Sequence, residues 1–405
     1  MGDLDAGFCL VSVLAPRSAR TDKSDLAQPG EDIGIGGVLG HAIECECWPP
    51  LVQPEDDLMP SAILKIILVI ALFCLASWER WAVVEQASAL GDAVHPWWSA
   101  IRTGWPRVHA PPYGWGIVIP YKACLIGVAG VIEAVQRLAL VHALAAPLTA
   151  VACWRISGRV VPGLVVGVIV AMDPGLIDTF QSGAEGYLAS VWLGVAVLGL
   201  TLRESARAPV MMVALSMALM NHPMAVAALP LVAAVRWRGK AFWMGAAAAI
   251  LLLAPRIVRL FLEPIPSSGG GVQPMEALAA FVLQGGAVAV VILMGPVIGL
   301  ISPRSRRLAI LCLASMILMA ALGTAGGYLR DHHIRILTIP ALLGWAAVPI
   351  PLAAVVALSI VLPRAVPVPA SLAERPGTLG LNAHLSSVVR AELSAPLVVD
   401  EAWLH

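Results

Sequence analysis

Charge is scarce in this 405-residue sequence. Only 13% of it is charged and 59% is hydrophobic, against about 25% and roughly 45–50% in a soluble domain. The mean hydropathy is +0.83. Such a composition excludes an ordinary water-soluble globule and points to an all-α fold, a polytopic integral membrane helical bundle, because helices satisfy their own backbone groups in lipid. Net charge is missing as well, with 26 basic residues against 26 acidic ones. That leaves no basic field for nucleic acid, and the charges act through their placement. Paired cysteines are absent too. Cys74, Cys124, Cys153 and Cys312 are scattered through apolar runs, where a packed thiol is the usual occupant, and Cys45-Glu46-Cys47 has no second pair to complete a metal site. No Walker A loop, dinucleotide fingerprint or Gly-x-Ser-x-Gly elbow occurs, which excludes the common routes to nucleotide-driven pumping and serine hydrolysis.

Residues 1–58 lack an apolar helical period and the basic-then-apolar pattern of a cleavable signal. They read as a disordered extension or a mis-assigned start. Residues 59–362 read as the transmembrane domain, and 363–405 as a short tail, proline-rich to Pro376 and then amphipathic around Leu385 to Leu393.

A spanning helix takes about 20 mainly apolar residues. Candidate spans lie at 61–78, 137–154, 160–174, 186–202, 208–220, 223–236, 241–262, 276–301, 308–323 and 336–362, which predicts about ten crossings. Arginine clusters at Arg155/Arg159, Arg203/Arg207, Arg236/Arg238/Lys240, Arg304/Arg306/Arg307 and Arg364/Arg375 belong on the cytoplasmic side. All five reach that side only if 208–236 is a hairpin with Asn221-His222-Pro223 at its outer tip, since proline breaks a helix. The competing reading is one long kinked span. The same rule makes 116–136, with Pro120, Lys122 and Glu133, a juxtamembrane or re-entrant helix closing an external loop that begins at residue 79.

Four polar stretches then share the outer face. The densest is Asp92 to Trp115, DAVHPWWSAIRTGWPRVHAPPYGW, with four tryptophans. The others are 173–187, with Asp173, Asp178, Gln181 and Glu185, the Gly/Pro-rich loop 263–275, and 323–335, with Arg330, Asp331, His332, His333 and Arg335. Acids, histidines and arginines meeting on one side are the pattern of a site. Each has a plainer reading. Asp92 and Glu185 sit where helix caps belong, Asp173 before Pro174 can start a turn, the arginines can anchor at the interface, and the tryptophans can form a belt.

In order and spacing these pieces resemble the GT-C-type membrane glycosyltransferases, the superfamily of protein O-mannosyltransferases and lipid A aminoarabinose transferases. Four stretches between about residues 60 and 345 carry the likeness. They are the external loop with Asp92 and then His109-Ala110-Pro111-Pro112-Tyr113, the arginine-led RLALVHALAAPLTAVACWRISGR at 137–159, AMDPGLIDTFQSGAEGYLASVWLGVAVL at 171–198, and LRDHHIRILTIPALL at 329–343. The sequence departs from the family in having Ala93 after Asp92 where an Asp-Glu pair is common, and in inserting Ala110 into the His-Pro-Pro element.

The resemblance implies transfer of a sugar from an undecaprenyl-phosphate-type donor, at the external face of a bacterial inner membrane, to a lipid, polysaccharide or protein acceptor. Asp92 is then the base that deprotonates the acceptor hydroxyl, with Asp178 a second carboxylate or metal ligand. Arg330 and Arg335 hold phosphate through planar, bidentate guanidinium contacts. His332, Glu185, His109 and His222 border the substrate. The resemblance assigns no definite cofactor and leaves a divalent metal at the carboxylates open; His332 and His333, as helix neighbours about 100° apart, do not readily share one ion. Two other readings use the same residues: a transporter or flippase of a lipid-linked or anionic solute, and an inactive scaffold of the same fold.

Overall fold

The computed structural model describes residues 62–84, 115–128, 131–181, 187–235, 239–262, 274–301, 303–326, 329 and 331–347. Two compact units divide the chain. The smaller comprises 1–50 and 56–67, of which 62–67 are described, and the described residues from 68 onward belong to the larger. Apart from short turns and links between helices, the described residues are helical, and Leu329 is an isolated bridge residue. Its α-helices are α1 (Ala62–Trp81), α2 (Trp115–Leu125), α3 (Val131–Ala143), α4 (Ala145–Ser157), α5 (Val160–Met172), α6 (Pro174–Gln181), α7 (Tyr187–Leu200) and α8 (Glu204–Asn221). After a 3₁₀ helix at Pro223–Ala234 come α9 (Lys240–Leu262), α10 (Pro274–Gly299), α11 (Pro303–Gly326), α12 (Asp331–Arg335) and α13 (Thr338–Leu342), and a 3₁₀ turn at Leu343–Ala347.

Among the described residues, three helices are long and apolar enough to cross a membrane: Ala62–Trp81, Glu133–Ser157 and Ser305–Ala325. The pair Val160–Met172 and Pro174–Phe180, bent by 44°, makes a fourth if it forms one broken span. Other apolar stretches run for 10–17 residues, among them Lys240–Ala254 in α9 and the two parts of α10, Pro274–Leu283 and Gly285–Gly299. Large apolar side chains, among them Ile70, Trp78, Trp243, Leu251, Leu283 and Ile317, stand exposed, as on a surface that meets hydrocarbon. The all-α class is thus observed, with three to four spans by length and composition.

Local chemistry fixes the element ends. Glu133 and Arg137, one helical turn apart, pair at 2.7 Å, which supports a helix that starts a few residues earlier than expected. α4 ends on Gly158 at φ 75°, whose N–H donates to the Trp154 carbonyl at 2.8 Å; only glycine takes that left-handed cap without a Cβ penalty. The break expected at residues 221–223 is present. α8 stops at Asn221, His222 is extended at φ −143° and ψ 132°, and Pro223 opens the 3₁₀ helix.

The late segment differs from the single helix expected over 336–362. In its described part, α12 ends at Arg335 and α13 starts at Thr338 around Leu337. Pro340 explains this, because its ring would clash with the Ile336 carbonyl if α12 ran on, but is tolerated in a first turn. Residues 348–362 lie outside the described residues, as do the extension 1–58, most of the loop 79–136 before α2, and the tail 363–405.

Gly-x-x-x-Gly packing seats this late segment. A Cβ on Gly295 would overlap the Ala341 carbonyl, one on Gly344 would overlap the Gly295 carbonyl, and one on Gly299 would lie 3.0 Å from the Gly344 Cα. Backbone-to-backbone approach of this kind is how apolar helices associate in lipid. Trp345 Nε1 adds a hydrogen bond to the Val291 carbonyl at 2.8 Å.

Candidate functional site

The polar interior begins where α5 stops. Asp173 breaks the helix with extended geometry, φ −61° and ψ 110°, and Pro174 starts α6, a position where its missing N–H costs nothing. The Asp173 Oδ1 accepts from the Gly175 N–H at 2.9 Å, as an N-cap does. The same oxygen lies 3.7 Å from an Arg335 guanidinium nitrogen, with both side chains at 2% exposure or less. The guanidinium also stands over the Phe281 ring at 4.8 Å, a cation–π contact. One glycine makes room for it: a Cβ on Gly175 would overlap the guanidinium.

A second arginine holds the other side of the break. On α1, Leu72, Ala76 and Arg80 recur every fourth residue and form its buried face. Arg80 donates to the carbonyls of Ala171 at 2.8 Å and Val170 at 3.2 Å, and to its own helix at Ala76, 3.1 Å. Carbonyls at a helix C-terminus lack intrahelical donors and carry partial negative charge, so a cation there satisfies both needs. Arg80 Nε also donates to His142 Nδ1 at 3.0 Å, which fixes His142 as the Nε2–H tautomer. The imidazole stacks on Phe180 at 5.7 Å and meets Tyr187 edge-on at 5.1 Å. The Tyr187 and Tyr121 hydroxyls bond at 2.7 Å, which extends the network from α1 to α2.

A third cluster forms at the α8 break. The His222 ring is 4.8 Å from that of His333 and 6.5 Å from that of His332, and the last two are 4.4 Å apart. His222 Nδ1 accepts from the Met224 N–H at 3.1 Å and so caps the 3₁₀ helix. α12 joins this cluster to the first. Residues two apart on a helix point about 200° apart, and accordingly His333 meets the α8 break while Arg335 meets α6 and α10. Among the described residues, no group of three or more His, Cys, Asp or Glu side chains is arranged to hold a metal ion.

Of the residues singled out from sequence, Arg335, His332 and His222 are brought together around α12. Asp178 is exposed on α6. Asp92, His109, Glu185 and Arg330 lie outside the described residues. Arg80, His142 and the Tyr121–Tyr187 pair were not anticipated, and Asp173 is more than the turn-former it resembles. An ionisable residue inside or just bordering an apolar run was the available signal for all but the tyrosines. Comparison with protein-family models, curated proteins and solved structures finds no match.

Proposed function

We propose that the protein is a membrane-embedded transferase that moves a sugar from a polyprenyl-phosphate donor to a lipid, polysaccharide or protein acceptor at the external face of the cytoplasmic membrane. The observation that carries this reading is the Arg335 guanidinium, buried among apolar helices beside Asp173 at a helix break. An ion pair in such surroundings is expensive to hold, and residues of this kind mark substrate pathways in membrane proteins.

In the transfer, the acceptor oxygen bonds to the anomeric carbon as the bond from that carbon to the phosphate oxygen breaks. The acceptor's proton passes to a carboxylate, and the bonding pair leaves with the polyprenyl phosphate. Asp92 serves as the base and Asp178 as the second carboxylate. Arg330 and Arg335 take the phosphate charge, and His332, Glu185, His109 and His222 border the sugar and acceptor. Arg335 reaches phosphate by sharing or releasing Asp173, so donor binding and the buried pair compete.

The test is turnover of polyprenyl-phosphate sugars by the full chain in nanodiscs. Wild type transfers, Asp92→Asn binds donor but loses about 10²–10⁴ in rate, and Arg335→Met loses donor binding. No turnover by wild type with any such donor overturns the reading. Helix breaks at Asp173, His222 and Gly286 favour a second reading, translocation of a lipid-linked anion, because broken helices around polar groups build transporter sites. Movement of donor across a vesicle bilayer without transfer would support it.

A further inference from the structure

Two turns, residues 155–159 between α4 and α5 and residues 201–207 leading from α7 into α8, carry four arginines and a single acid, Glu204. The turns lie together. The half-buried Arg155 and Arg207 donate to consecutive carbonyls at the end of α7, Thr201 at 3.5 Å and Leu202 at 3.3 Å, and two guanidinium groups drawn to neighbouring carbonyls repel each other. Arg159 and Arg203 add exposed charge on the same turns. Each of these two is also the residue from which a helix starts, α5 and α8 in turn, and neither provides a side-chain cap where Ser, Thr, Asp or Asn is the usual occupant. Positive charge at a helix start is unfavourable. An anion bound across the two turns would offset both costs.

What borders these arginines is apolar. Val161, two residues beyond Arg159, is 39% exposed. On α9, whose Gly245 backbone meets Ala208 and Pro209 at the start of α8, Trp243 and Met244 are 62% and 59% exposed, one turn on from the exposed Lys240. A soluble anion has no use for such a border, whereas a phospholipid sets its phosphate at the charges and its acyl chains along the apolar side chains. We infer that Arg159, Arg203 and Arg207, with Arg155, form a headgroup site for an anionic phospholipid. The site is separate from the polar interior around Asp173 and His222. α5 runs for 13 residues between Arg159 and Asp173, and α8 for 18 between Arg203 and His222, about 20 Å and 27 Å of helix. Lipid binding here is independent of whether the protein transfers a sugar.

The probe is phosphatidylglycerol, titrated into the full chain in neutral detergent micelles with phosphatidylcholine as the control, and read as a shift in unfolding temperature. Phosphatidylglycerol stabilises wild type beyond phosphatidylcholine, and the difference shrinks as salt is added. Each charge near an anionic headgroup is worth roughly a factor of five. Arg203→Gln should therefore raise the half-maximal lipid concentration about fivefold, and Arg159→Gln combined with Arg203→Gln about twenty-five-fold. Both side chains are exposed, so the variants unfold near the wild-type temperature in phosphatidylcholine. Arg203→Lys keeps the charge and keeps the response, and the single variants carry the test if the double one does not fold. Equal stabilisation of wild type by the two lipids overturns the inference. An unchanged phosphatidylglycerol response in the glutamine variants does so too, because the lipid would then act elsewhere on the chain. Stabilisation by soluble glycerol 3-phosphate at the concentrations where the lipid saturates would also overturn it, since the anion would then bind without help from acyl chains.

Discussion

Replacing Arg335 by methionine removes the charge and keeps most of the side-chain length, which makes the energy of the Asp173 contact measurable. At 3.7 Å and an effective dielectric of about 20, the attraction is roughly 4 kcal/mol. Its net worth is smaller, because both charges were desolvated to make it. Removing one partner is a different matter. It strands the other in the interior, at about 3–5 kcal/mol. Arg335→Met should therefore cost that much, and Asp173→Leu about 1 kcal/mol more, since the Gly175 N–H also loses its cap. The double variant leaves two apolar side chains and no stranded charge.

The expected signature is a double variant more stable than either single one, with a coupling energy of at least about 3 kcal/mol in a double-mutant cycle. Unfolding by SDS in mixed micelles, followed by tryptophan fluorescence, supplies the four free energies. Additive losses would refute the argument. They would mean that the two groups do not sense each other's charge and that Arg335 is held by its other contacts.

Three further outcomes follow from the same packing. Gly175→Ala would ordinarily gain about 0.5–1 kcal/mol within a helix, but its methyl overlaps the Arg335 guanidinium, so it should cost about 1–3 kcal/mol and lose that penalty in the Arg335→Met background; a gain in wild type would show that the guanidinium moves freely. Gly286 holds φ 53° and ψ −134° inside α10, a conformation open to little but glycine, so Gly286→Ala should cost about 1–3 kcal/mol in the same unfolding assay, and an unchanged free energy would remove the kink as a constraint. Burial pushes the Cys124 thiol up to about 11 despite the nearby Arg137 guanidinium. Its thiolate fraction at pH 8 is then about one in a thousand, against roughly a quarter for a free thiol. A variant with Cys124 as its sole cysteine should react with maleimide slowly when folded and faster as pH rises toward 11, and labelling at pH 8 as fast as after denaturation would contradict this.

The helices were legible in the sequence because lipid-compatible apolar runs and their breakers are local signals. Pro223 and the Asp173-Pro174 step each ended an element near where chemistry alone placed the end. The interior polar contacts were much less legible. Asp173 reads locally as a turn residue because nothing nearby in sequence reveals that Arg335 will face it. Arg80 reads as the last residue of an apolar run, and only packing of α1 on α5 turns it inward to the Ala171 and Val170 carbonyls. The histidines show the converse. Adjacent positions on a helix argue against His332 and His333 sharing a partner, yet α12 is one turn long and sits so close to the α8 break that both rings approach His222. The argument from helical angle holds for a metal ion, which needs converging lone pairs, and fails for ring contact, which does not.

Glycines help to set the position of Arg335. Gly295, Gly299 and Gly344 bring the backbone after α13 onto the second half of α10, which fixes where the chain leaving α12 must go. The first half of α10, beyond the Gly286 kink, carries Phe281 and Gly285 to the guanidinium. Gly175 opens the α6 side of the same space. An arginine seated against the Gly175 backbone and the Phe281 ring is placed by its neighbours as well as by its charge partner. Asp173 then needs only to be compatible with the guanidinium, and a contact of 3.7 Å, longer than a hydrogen-bonded fork, is what a charge placed by its surroundings would show. In the transferase proposed above, phosphate uptake at Arg335 would then be a change of partner at a guanidinium already in place beside Asp173.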